Sequence, residues 1–146
     1  MNEVHPSPIV RLTCRKMARL IQIFAIYVIM HGHYSPGGGF QGGALLAASI
    51  FLLRIGEGGK AGDRDLPDRL TLAVGSIGAL IFAGVGALSL FNGGDFLAYS
   101  ALPIPGMGEA DRHYWGILVI EIGVGLAVMA VLVTIFDRLM ERSPDE

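Results

Sequence analysis

A chain of 146 residues has room for one compact unit. With 52% apolar and 16% charged residues and a mean hydropathy of +0.55, it is too apolar for a water-soluble domain of that size. The formal net charge of −2 names no partner and offers no basic surface to nucleic acid, so the placement of the charges carries the information.

Residues 1–9 are polar and proline-containing and are expected to fray. Arg11, Arg15 and Arg19 recur at helical spacing, with Lys16 beside them, so their side chains can snorkel towards headgroups while the helix enters the membrane. A basic region followed by Leu20–Met30 superficially resembles a signal peptide. No small-residue cleavage site follows, because His31-Gly32-His33 comes next, and a retained first span over about 15–31 is expected. Cys14 is the sole cysteine, which excludes an intrachain disulfide and predicts a reduced cytoplasmic thiol.

The run from His31 to Gly43 separates two apolar stretches, each too short to cross a hydrocarbon core of about 30 Å comfortably. Such interrupted segments are how transport proteins place irregular backbone and polar groups at membrane depth. Here Pro36 is expected to end or bend the chain, and Gly37, Gly38 and Gly39 permit unusual dihedrals or close approach. Phe40 is expected to act as a plug and Gln41 to satisfy loose backbone groups. Tight packing with no transport role fits the same residues. A nucleotide loop does not, since no Gly-Lys-Ser/Thr closes the run and no strand precedes it. His31 and His33 project to different sides of a helix and have no cysteine or carboxylate cluster with them, so a metal site is not expected. His33 suits either proton exchange near neutral pH or hydrogen bonding to the broken backbone, and His31 is read as structural.

The second span is placed at 38–54, where Gly39, Gly43 and Ala47 stack into a small-residue seam. Residues 54–69, from Arg54 to Arg69, look like a solvated charged connection, with Asp65 and Pro67 suited to the start of the next helix. The third span, 70–91, contains no ionisable residue and would measure about 33 Å as a helix. Gly75, Ala79, Ala83 and Ala87 form a second seam there, which argues for packing within a larger assembly. Asn92-Gly93-Gly94-Asp95 ends that helix, and a Gly/Pro-rich connection leads to the interfacial pair Tyr114 and Trp115. Ser100, Asp111 and His113 lie near one another in sequence but lack the surroundings of a catalytic triad. The fourth span, 115–136, is followed by a short charged tail beginning at Asp137-Arg138.

Lys and Arg cluster before the first span, between the second and third, and after the fourth, while the other two connections hold only Arg112. The positive-inside rule then puts both termini in the cytoplasm. The expectation is an all-α integral membrane protein forming one four-helix domain, its first two spans short and joined by a Gly/Pro-rich break. Glu121 is the one ionisable residue within the fourth span. A carboxylate at that depth faces protein or water, either as part of an ion or proton route or as hydrogen-bonding glue between helices.

The motif Gly32-His33-Tyr34-Ser35-Pro36-Gly37-Gly38-Gly39-Phe40 resembles the Gly-His-x-x-Pro-Gly-Gly-Gly-Phe signature of the MnhB/MrpB family, and Glu121-Ile122-Gly123-Val124 resembles its acidic-x-Gly-Val element. Those proteins are B subunits of multisubunit Na+/H+ antiporters, with relatives in membrane-bound hydrogenases and other complexes related to respiratory complex I. The resemblance implies a small, cofactor-free subunit without catalytic chemistry of its own, in a prokaryotic cell membrane. Its partners would be the small and large antiporter-type subunits, together with a hydrogenase or other redox module if the complex is redox-driven. It carries over Gly32, His33, Pro36, Gly37, Gly38, Gly39 and Phe40 as the motif and Glu121 as the membrane acid. Cation/proton exchange, redox-driven ion pumping and a purely structural scaffold are the functions it leaves in play.

Overall fold

The computed structural model describes residues 7–32, 37–57 and 68–141, which form four α-helices and, among the described residues, no strand. They are α1 (Pro8–Met30), α2 (Gly39–Glu57), α3 (Asp68–Phe91) and α4 (Glu109–Glu141), with a single 3-10 turn at Tyr99–Ala101 in the connection before α4. Each terminus has a local cause. Ser7 caps α1 by accepting from the Val10 amide at 3.3 Å, with Pro8 in the first turn where its missing N–H costs nothing. The end of α3 is set by Gly93 at φ +81, where Gly94 N–H donates to Ser89 O at 3.1 Å and Gly93 N–H to Leu90 O at 3.0 Å. This paired closure satisfies carbonyls that the helix leaves open. Glu109 and Asp111 sit in the first turn of α4, where the helix dipole favours negative charge.

The helices form a row in the order α1, α2, α4, α3, with α1 also touching α4 lightly and neither α1 nor α2 meeting α3. Small residues set the spacing. A Cβ on Gly42 would stand 2.9 Å from Ala25 O, one on Gly43 2.5 Å from Gly125 O, and one on Gly78 2.5 Å from Gly123 O. With lipid on the outside there is no hydrophobic drive between helices, so this close backbone approach is what holds them. The pairings also give the directions. Cys14 meets Gly56 while Ile29 meets Gly42, so α1 and α2 run antiparallel, and Gly75 against Ala130 with Gly78 against Ala127 makes α3 antiparallel to α4. Helices α2 and α4 run parallel, and the start of α1 and the end of α4 lie at the same end of the bundle. A small core of Ala47, Met129 and Val133, flanked by Ile50, Phe51, Val74 and Leu132, fills the middle of the α2–α4 interface.

Among the described residues three helical stretches, Gly39–Gly56, Arg69–Phe91 and Glu109–Met140, are long and apolar enough to cross a membrane. Helix α1 has the length at 23 residues, but its first half carries Arg11, Arg15, Lys16 and Arg19. The basic segment, with its arginines at helical spacing, is itself helical and runs on into the short apolar stretch that follows.

One expectation is corrected. Arg54 is not in a solvated connection: α2 continues to Glu57, and the Arg54 side chain is 5% exposed and ion-paired with Asp137 of α4, itself 13% exposed. In the third span, Gly75 packs on α4, while Ala79 and Ala83 of the same seam are exposed within this single chain. The face that meets α4 instead follows Thr71, Val74, Gly75, Gly78 and Ile81, a phase that uses Gly78 as the point of closest approach. Asp65 and Pro67 lie outside the described residues.

Candidate functional site

Helix α2 opens at Gly39, directly after Gly37 and Gly38, with no capping side chain from these glycines to satisfy its first amide. The partner it meets comes from another helix. The Gly39 N–H donates to Oε2 of Glu121 on α4, and the chain on either side of the break is wrapped around the same carboxylate. A Cβ on Gly32 would lie 3.0 Å from the Glu121 carboxyl carbon and 2.6 Å from Gly38 Cα. A Cβ on Gly38 would collide with both carboxylate oxygens, and one on Gly39 with the Glu121 carbonyl. Gly38 also has φ +96, a conformation that L side chains rarely adopt, so it is glycine for two independent reasons. Its carbonyl accepts from Gly42 N–H at 2.9 Å and starts the helix.

The electrostatics follow from this arrangement. The N-terminus of a helix presents unpaired amides and the positive end of the macrodipole, so it stabilises an anion placed against it. Glu121 lies within α4 well beyond its charged first turn, and the turn of glycine backbone provides a polar lining that side chains would crowd out. Phe40 and Gln41 take no part in it: Phe40 is 65% exposed and Gln41 also points outward, so neither the plug nor the backbone-satisfying role holds within this chain. The loose amide is met by Glu121 instead. His31 ends α1, its ring stacked on Tyr27 at 4.1 Å between centroids and its Nδ1 3.0 Å from Tyr27 O. A carbonyl only accepts, so this contact is a hydrogen bond in the tautomer with the proton on Nδ1. Gly37 is half-buried beside the turn, while His33 and Pro36 lie outside the described residues.

The connection between α3 and α4 packs on the first turns of α4, at the same end of the bundle as the glycine turn. A Cβ on Gly116 would stand 2.5 Å from Cδ1 of Tyr99 and 3.1 Å from Leu102, so that face of α4 is glycine where the Tyr99 ring lies across it. Burial, and after it the negative charge of Glu121, raise the Tyr99 phenol above its ordinary value of 10.0. The linear sequence carries no signal for Tyr99 as a site residue, since it is one aromatic among Gly/Pro-rich turns.

A model of the domain related to the MnhB subunit of Na+/H+ antiporters matches residues 9–134. The chain belongs to the MnhB family. Relatives include the B subunit of the Na+/H+ antiporter of Bacillus subtilis (strain 168), 31% identical over 97% of this chain and 99% of that protein. Others are a putative antiporter subunit mnhB2 of Staphylococcus haemolyticus, 32% identical over 90% of this chain and 92% of its own length, and the Na+/H+ antiporter B subunit of Alkalihalophilus pseudofirmus, 30% identical over 87% and 88%. This MnhB-family chain is accordingly a multi-pass prokaryotic membrane protein, and the matched stretch contains both the glycine turn and Glu121.

Proposed function

We propose that this chain is the B-type membrane subunit of a multisubunit Na+/H+ antiporter and that Glu121 takes part in the ion or proton route of the assembled complex. The carrying observation is the Glu121 carboxylate accepting from the Gly39 N–H at the start of α2. A carboxylate within a membrane span that keeps its charge needs donors in place of water, and amides at a helix start supply them without adding a competing cation. The same carboxylate can give up that arrangement when it takes a proton or a sodium ion, which is the chemistry an exchanger requires. The relatives' names favour the antiporter over a redox-driven complex.

In this reading α1 is the first of four spans, both termini are cytoplasmic, and the glycine turn and the 92–108 connection face outward. Support comes from the basic residues of α1 lying at the same end of the bundle as Arg54 and Arg138. The other antiporter subunits are the partners, and the apolar outer faces of α1 and α3 are where they or lipid would lie.

The deciding experiment places Glu121→Gln and Glu121→Asp in the complete complex and measures Na+-dependent proton exchange in vesicles, with assembly followed on native gels. Gln should abolish or strongly reduce exchange while assembly persists, and Asp should retain part of it. Normal exchange by an intact Gln complex defeats the mechanistic part, and activity that falls only in step with assembly favours a scaffold.

A further inference from the structure

Arg112 is the sole Lys or Arg in the two connections at the glycine-turn end of the bundle, and it lies at the start of α4. Arg138 lies 26 residues further along the same helix, or about 39 Å. That separation exceeds a hydrocarbon core of about 30 Å and approaches the roughly 40–45 Å of a bilayer with its headgroups, so the two arginines stand in opposite headgroup layers. The Arg112 Nε is buried and has no hydrogen-bond partner among the described residues. The other buried side-chain nitrogens in that condition belong to Arg54, which has Asp137 beside it. Glu109 and Asp111 form no such pair with Arg112. Asp111 instead lies back over Gly108, its Oδ2 3.7 Å from where a Cβ on that glycine would stand. A guanidinium drawn partly out of water carries a desolvation cost until an anion meets it.

The face of α4 that carries Arg112 continues through Trp115, Val119 and Ile122, three, seven and ten residues on, all of them exposed. It contains no small residue. The faces of α4 that meet other helices do, through Gly125 against α2 and Gly123 against α3. Close helix contact in a membrane uses small residues, and bulky apolar side chains below an interfacial tryptophan suit acyl chains. We infer that Arg112 binds the phosphate of a phospholipid in the leaflet at this end, with the acyl chains laid along Trp115, Val119 and Ile122. The planar guanidinium can give two parallel N–H bonds to a phosphate, and the Trp115 indole N–H is a further donor at headgroup level. This binding site stands apart from the role of Glu121.

Trp115 is the only tryptophan in the chain, so its emission reports on this face. The test titrates the full-length protein in nonionic detergent with phosphatidylcholine brominated on its acyl chains, or with a brominated diacylglycerol that has the same chains and no phosphate. Half-maximal quenching by the phospholipid should need roughly tenfold more lipid in Arg112→Gln, the worth of one lost charge-assisted hydrogen bond. Arg112→Lys should fall between, since it keeps the charge and loses the paired geometry. Arg138→Gln should change nothing, and circular dichroism should show the same helix content throughout. Equal quenching of the native protein and Arg112→Gln overturns the site, as does diacylglycerol quenching the native protein as well as the phospholipid does. Native mass spectrometry of the complete complex gives a second reading. Arg112→Gln should lose a bound phospholipid and keep every subunit. Loss of a subunit with the lipid retained overturns the site and assigns Arg112 to an acidic group on a neighbouring protein.

Discussion

Gly43 and Gly125 bring the backbones of α2 and α4 into direct contact, a Cβ on Gly43 falling 2.5 Å from the Gly125 carbonyl oxygen. The contact lies one helical turn beyond Gly39, so it sets how firmly the start of α2 is pressed onto Glu121. Gly43→Leu should push the helices apart and cost about 1–3 kcal/mol or more, as overpacking does. Thermal unfolding of the purified protein or the whole complex measures this. Gly84→Leu is the comparison, because nothing lies within 4 Å of a Cβ at that position; equal loss in both would remove the special role of the seam.

Gly38→Ala combines two costs. The positive φ alone costs about 1–2 kcal/mol for a residue with a Cβ, and the methyl group also runs into the Glu121 carboxylate. Adding Glu121→Ala should relieve the second cost and leave the first, so the double variant should lose less stability than the sum of the two single ones. A double-mutant cycle by thermal unfolding checks the sign of that coupling.

Arg54 and Asp137 pair at the opposite end of the same interface, both largely shielded from solvent. Removing either partner deprives the other of this largely shielded ion pair, at a cost of about 3–5 kcal/mol. Arg54→Leu and Asp137→Leu should each destabilise strongly, and the double Leu variant should be more stable than either single one. Denaturation in detergent, read by helical circular dichroism, distinguishes these outcomes from simple additivity.

Tyr99 should titrate above its ordinary value of 10.0, because burial first and the Glu121 charge second oppose the phenolate. Glu121→Gln should move it back towards 10.0 without reaching it, since burial remains. The folded protein holds this proton more tightly than the unfolded chain, so this contribution to stability is complete below the ordinary tyrosine range and fades as the pH climbs through the raised value. Ultraviolet difference titration with the other tyrosines replaced by phenylalanine follows it.

Local chemistry alone accounts for much of this. The uncharged stretch at 70–91, the single acid in the fourth span and the Gly/Pro break each carry their meaning in residue type, because a hydrocarbon core penalises any charge or unpaired amide wherever the rest of the chain goes. The signature residues 32–40 and the acidic element at 121–124 likewise mark the family from linear order. Helix phase is different. Gly75, Ala79, Ala83 and Ala87 make as regular a stripe as Gly39, Gly43 and Ala47, yet only the latter stripe faces a neighbour from this same chain along its length, since periodicity gives a face without saying what lies opposite.

What tertiary structure alone decided is which distant groups neutralise one another. Arg54 looks like the first charge of a loop until Asp137 arrives beside it, and Tyr99 has no visible role until it lies across Gly116. The glycines at 38 and 39 announce a backbone that something must approach closely. That the approaching group is Glu121, 82 residues away from Gly39, follows only from the parallel packing of α2 on α4, because a polar partner across the bundle is selected by three-dimensional register and leaves no local mark on the chain.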